Sequence, residues 1–205
     1  MALAGRSWLR GLGRWRPWGG NLRGSKRRAR RAYARARPTK KILVTGSSGT
    51  IGRIVCGRLE DFEVTRFDLP EHDARDYEDL AGLSRGHDVL VHLAWDTATE
   101  SWRSGDISLD NQLMTVNAYE AALRTGVPRV IMASSVHADD YSGWTGAELM
   151  KATAVPAPDS PYGASKVFME ALGRYYAKQG LEVVCVRFMG VTPDGRPSPQ
   201  DPAGK

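Results

Sequence analysis

The run Ile42-Leu43-Val44-Thr45, followed at once by Gly46-Ser47-Ser48-Gly49-Thr50-Ile51-Gly52, constrains the fold more than any other stretch. A short β-branched apolar run reads as a parallel strand buried on both faces. Glycines three apart at its end let the chain turn tightly and bring its backbone close to a ligand. A helical pattern then runs to Leu59. Strand, glycine turn and helix in that order form the first unit of an alternating α/β sheet.

The alternation continues along the chain. Residues 63–67 predict a second strand ending at Asp68, and 76–85 a short helix. Residues 88–93 predict a third strand, and 110–125 a helix stopped by Gly126,. Residues 129–134 predict a fourth strand. Residues 161–179 predict a long helix with Pro161 in its first turn and Gly180 as its stop,. Residues 182–187 predict the last strand. The expected architecture is a doubly wound, parallel, Rossmann-type α/β sheet.

Charge divides the chain. Its net charge is +6, but residues 1–41 hold 11 Arg and 3 Lys with no acidic side chain. The rest carries 15 basic and 23 acidic side chains, so it is net acidic. We therefore read residues 1–40 as a disordered Arg-rich tail, 41–195 as the dinucleotide-binding domain and 196–205 as a polar tail. Three readings fit the basic tail. It is a transit peptide, or a segment that binds nucleic acid or another anionic surface, or upstream sequence translated from an early start. Away from that tail nothing suggests a nucleic-acid partner. No apolar run approaches the roughly 18 residues of a membrane span. The cytoplasm is the expected compartment, with an organelle as the alternative if the tail is a transit peptide. Cys56 and Cys185 sit in apolar segments and read as small core residues, with no metal-ligand spacing,.

The loop residues Gly46, Ser48, Gly49, Thr50, Ile51 and Gly52 are the candidate pyrophosphate contacts, because a helix N-terminus offers free N–H groups to an anion. Asp68 lies 22 residues past Gly46, near the spacing of about 20 expected for an acid that reads a ribose 2′-hydroxyl,. A carboxylate there repels a 2′-phosphate, so the expected cofactor is NAD rather than NADP. Arg66 leaves the strand on the same face, two residues earlier.

Tyr162 and Lys166 lie four apart at the start of a helix and share a face,. A nearby ammonium lowers a phenol's pKa towards neutrality and so equips it for proton transfer. Ser134 and Ser135 end the fourth strand at the carboxyl edge, where open α/β sheets bind ligands. Ser135 is the candidate substrate hydroxyl and Ser134 its support. His137 follows as a candidate substrate contact. Asn111 either caps its helix or serves the cofactor side through a water near Lys166.

Together the glycine loop, Asp68, His92-Leu93-Ala94, Ser134-Ser135 and Tyr162-x-x-x-Lys166 resemble the extended short-chain dehydrogenase/reductases, the NAD-dependent epimerase/dehydratase family. The resemblance covers about residues 41–195. Ala133-Ser134-Ser135-Val136-His137, Leu172-Gly173-Arg174-Tyr175-Tyr176 and the strand at 183–187 are similar to the uronate dehydrogenases and to haloarchaeal NAD-dependent glucose-6-phosphate dehydrogenases. That resemblance implies Asp73 and Ala74 beside the adenine, and Leu93 and Ala94 along the cofactor cleft. It implies that Ser135, His137, Tyr162 and Lys166 face a sugar. The implied activity is oxidation of a sugar or sugar acid with NAD. A sugar-nucleotide epimerase or dehydratase, or a non-catalytic NAD-binding protein, are the alternatives, and a homo-oligomer stays open. Two residues depart from the relatives: Val136 stands where they carry Asn, and Trp95 where they carry a small residue. Family members continue well past the last strand, so the substrate side is expected to be incomplete in this chain.

Overall fold

The computed structural model describes residues 39–143 and 151–196. The basic tail up to Pro38 and the end from Pro197 lie outside the described residues. The order is β1 (Lys41–Thr45), α1 (Thr50–Cys56), β2 (Glu63–Phe67), α2 (Tyr77–Ser84), β3 (Val89–His92), α3 (Leu109–Thr125), β4 (Arg129–Ser135), a 3-10 turn (Val136–Ala138), α4 (Pro161–Lys178) and β5 (Glu182–Phe188). The strands form one sheet in the order β2-β1-β3-β4-β5, all parallel. The order reverses between β1 and β3, which opens a crevice at their carboxyl ends.

Local chemistry explains the element ends. Asp76 caps α2 by accepting from the backbone N–H groups of Glu78 and Asp79,. Ser160 caps α4 through Gly163 N–H, and Pro161 occupies its first turn,. Gly126 closes α3 at a φ of 82°,. α1 is shorter than its apolar pattern suggested. Gly57 N–H turns back to the Arg53 carbonyl and Arg58 N–H to that of Val55, which ends the helix before Leu59.

Strand alternation sorts the core into two layers. Leu43, Phe67, Leu90, Val130 and Met132 face α2, α3 and α4, whose Leu80, Tyr119 and Met169 meet them. Ile42, Val44 and Val91 point the other way, towards Cys56 of α1. The first layer joins 17 buried residues and the second 4. At about 1.5–3 kcal/mol for each large apolar side chain, the three-helix face dominates the stabilisation. Cys56 and Cys185 are free thiols within or against these layers. Among the described residues no helix is long and apolar enough to cross a membrane.

Candidate active site

A cleft of about 320 Å³ opens at the crevice between β1 and β3. Of the predicted cofactor residues, Gly46, Gly49, Asp68, Asp73, Ala74, Leu93 and Ala94 line it. Gly46 has a φ of 66°, and a Cβ there would lie 2.5 Å from the backbone nitrogen of Ala94. Only a residue without a side chain lets the chain turn here against the Leu93–Ala94 backbone at the end of β3,. Gly52 lies beneath the loop, where a Cβ would stand 2.1 Å from the Gly46 carbonyl oxygen. Thr50 and Ile51 open α1.

The carboxylate of Asp68 accepts from Ser48 N–H at 2.6 Å and from Leu69 N–H at 3.0 Å. The acid thus braces the glycine loop as well as facing the cleft. Arg66 is exposed. Arg75 donates to Asp73 at 2.6 Å and to Asp110 at 3.0 Å, joining the cleft rim to the start of α3. These bonds hold the Asp73 carboxyl below the usual range.

The second group gathers where β4 meets α4. Ser135, His137, Tyr162 and Lys166 all lie here. Ser135 lies near enough to the Tyr162 phenol to pull its pKa down. Lys166 is 3% exposed and donates to the Ala133 carbonyl at 2.9 Å. Its Nζ stands 3.2 Å from the centre of the Trp95 ring and 5.4 Å from that of Tyr162. Burial drives the Lys166 pKa well below its usual value, against an opposing pull from Glu100.

One electrostatic expectation is reversed. Burial pushes the Tyr162 pKa above that of an ordinary phenol, against the pull of Ser135 and with the charge of Glu100 adding to it. Lys166 does not lower it in this arrangement, since its ammonium is directed at Ala133 and covered by Trp95.

Supporting contacts surround the pair. Ser134 donates to Glu170 at 2.6 Å, and Glu170 binds the Arg187 guanidinium through both oxygens at 2.8 Å. His137 pairs with Asp159 and stacks on Trp102 at 5.4 Å. His92 bonds Thr45 at 2.8 Å across the β1–β3 register. Burial, aided by Lys166, pushes the His92 pKa down to about 3 and keeps it neutral.

Asn111 neither caps its helix nor faces the cleft. Ser108 is the capping position of α3. The Asn111 amide accepts from Asp96 N–H at 2.7 Å and donates to the buried Glu100 at 2.9 Å. It holds the segment that carries Trp95 and Asp96.

Sequence reasoning missed Asp159, Glu100 and Glu170. Asp159 had a signal, since an acid directly before the Ser160-Pro161 helix start belongs to a structured turn. Glu170 had one too, lying four residues past Lys166 on the same helix face. Glu100 sits in a polar, aperiodic segment with no signal. A larger cleft of about 540 Å³ between α4 and β5 includes none of the predicted site residues. Among the described residues no cluster of His, Cys, Asp or Glu is arranged to hold a metal ion.

The parallel sheet with its crevice at the β1–β3 reversal defines a Rossmann-like α/β fold, with Ser135, Tyr162 and Lys166 gathered at the carboxyl edge of β4. A model of the NAD-dependent epimerase/dehydratase family matches residues 42–204, and the chain belongs to that family. It is 38% identical over 175 residues to an L-arabinose 1-dehydrogenase (NAD(P)(+)) of Haloferax volcanii, covering 72% of this chain and 65% of the relative. It superposes on a variant of uronate dehydrogenase from Agrobacterium tumefaciens complexed with NAD. There the TM-score is 0.65 and the identity 31%, over 76% of this chain and 63% of that one. It also superposes on Thermus thermophilus UDP-glucose 4-epimerase in complex with NAD. There the TM-score is 0.64 and the identity 26%, over 74% of this chain and 56% of that one. The chain spans just under two thirds of the length of the first curated relatives it matches.

Proposed function

We propose that this chain binds NAD and serves an oxidoreductase acting on a sugar or sugar acid. The observation that carries the reading is the meeting of Ser135, Tyr162 and Lys166 at the carboxyl edge of β4, next to a cleft lined by Gly46 and Asp68. The glycine loop would receive the pyrophosphate, Asp68 the adenosine ribose, and Asp73 and Ala74 the adenine. The tight glycine turn at Gly46 on the cleft wall and the acceptor at Asp68 suit such a ligand.

When bound, NAD supplies the hydride acceptor. The remaining work falls to the chain. Ser135 orients the substrate oxygen, and Tyr162 moves its proton. Lys166 holds the second ribose and, once its ammonium is turned to Tyr162, eases that proton transfer. His137 is a further substrate contact, its ring beside Tyr162 at 6.0 Å. Nearly equal TM-scores to a dehydrogenase and an epimerase support the second reading, a sugar-nucleotide epimerase or dehydratase,. The cytoplasm suits the two free thiols,.

The test follows absorbance of NADH with free aldoses, uronates and nucleotide sugars. Net NADH from an aldose or uronate supports the dehydrogenase. Conversion of a nucleotide sugar without net NADH selects the second reading. Tyr162→Phe should cut turnover by about two to four orders of magnitude and spare NAD binding. Turnover that persists in that variant removes Tyr162 from the chemistry.

A further inference from the structure

The cleft stops at Trp95. Its lining runs from Gly46 and Asp68 to Trp95 and Asp96, and omits Ser135, Tyr162 and Lys166. At about 320 Å³ it stands near the small end of ligand pockets, which span roughly 300–1,000 Å³,. The indole fills the step between this cleft and the catalytic pair. It covers the Lys166 ammonium at 3.2 Å and meets the Tyr162 ring edge-on at 6.0 Å.

Two ligands therefore compete for one ammonium. Lys166 has three N–H donors. One goes to the Ala133 carbonyl, and the ring lies over the ammonium. A ribose hydroxyl could reach this group only after the ring had moved. No hydrogen bond fixes the ring in place, since Trp95 Nε1 is buried without a partner among the described residues. Its position is held by ring contacts, which a rotation of the side chain breaks together. The Trp95 segment is anchored behind it, through Asn111 on Asp96, so the backbone stays put while the side chain turns.

We propose that Trp95 is a gate that divides the cofactor cleft, leaving the adenosine half open and closing the nicotinamide half by standing on Lys166. This rests on the NAD reading above. A ligand with only adenosine and diphosphate enters the open half freely. A dinucleotide gains its second half only by displacing the ring. The same displacement frees the ammonium for Tyr162, so cofactor entry and activation of the phenol are one event.

Calorimetric titration of the full chain with ADP and with NAD tests this. In the parent, the two should bind within about threefold of each other. Trp95→Ala should strengthen NAD by roughly tenfold or more, the worth of a desolvated cation–π contact, and leave ADP within about threefold. Trp95→Phe should fall between. Trp95 emission, read as the difference between parent and Trp95→Phe, should respond to NAD and not to ADP. If Trp95→Ala fails to fold, the Phe variant and the emission comparison carry the test. NAD affinity more than about tenfold above ADP in the parent, or unchanged on removing the indole, overturns the gate and leaves the NAD reading standing. Binding of neither ligand by parent or variants overturns the NAD reading and the gate with it.

Discussion

The Nδ1 of His137 lies 3.0 and 2.9 Å from the two carboxylate oxygens of Asp159, and this pairing decides which ring nitrogen carries the proton. An ionised carboxylate only accepts, so Nδ1 carries a proton and donates it to Asp159. Asp159 also accepts from the N–H and hydroxyl of Ser142 at 2.9 and 2.6 Å. One acid thus holds the histidine, its following loop and the approach to α4.

Asp159→Asn should therefore remove the preference for the Nδ1–H tautomer, which nitrogen-15 imidazole shifts would show. The stability effect has a definite sign. Burial opposes the charge on Asp159, but bonds from Ser142 and His137 outweigh it and hold its pKa below the ordinary carboxylate value. Its contribution is present above the unfolded pKa, about 4, and is lost as pH falls through the folded value. At neutral pH the variant should be about 1–3 kcal/mol less stable. Urea unfolding should show that gap closing in strong acid; a gap independent of pH would refute the assignment.

Glu170→Ala should be costlier than a surface change. Glu170 is 7% exposed and joins Ser134 to Arg187. Burial opposes its charge, yet the bonds from Arg187 and Ser134 keep its pKa low. Losing one member of a buried pair costs about 3–5 kcal/mol. Asp139, 3.5 Å from Arg187, keeps the expected loss near the lower end. Urea unfolding at neutral pH measures it.

Gly46→Ala should damage the cleft and the fold together. The position has a φ of 66°, and the added Cβ would meet the Leu93–Ala94 backbone. Strain of this kind costs about 1–3 kcal/mol. Calorimetry should show NAD affinity falling by at least about tenfold, and melting should shift downwards. Unchanged binding would place the cofactor elsewhere.

Asp68→Ala should narrow the preference for NAD over NADP, read from parallel titrations of both. It should also loosen the glycine loop, because Ser48 N–H loses its acceptor. Equal affinity for the two cofactors in the unmodified chain would remove Asp68 from that role.

The five strands and their parallel order follow from patterns that sequence carries directly. Apolar runs at 42–45, 89–92 and 129–135 alternate with helical periodicity, and side chains of alternate residues must face opposite layers. The pair Tyr162 and Lys166 was equally legible, because helical spacing fixes their shared face. What they do to each other was not. The raised pKa of Tyr162 arises from burial and from the charge of Glu100, which comes from a segment 62 residues earlier. The Asn111 side chain misled in the same way. Its position at a helix start fits a cap, but its partners Asp96 and Glu100 reach it only through tertiary packing.

The first turn of α4 is docked backbone against backbone. A Cβ on Gly163 would stand 2.0 Å from the His137 carbonyl oxygen. The interval between the strand-end serine and the helix-borne tyrosine is therefore set by main-chain contact, not by side-chain fit. Drift in the surrounding side chains can reshape what the pocket accepts without altering how those two hydroxyls face each other. A family built this way can change its substrates while keeping one reaction geometry, and residue 163 is the hinge pin of that constancy.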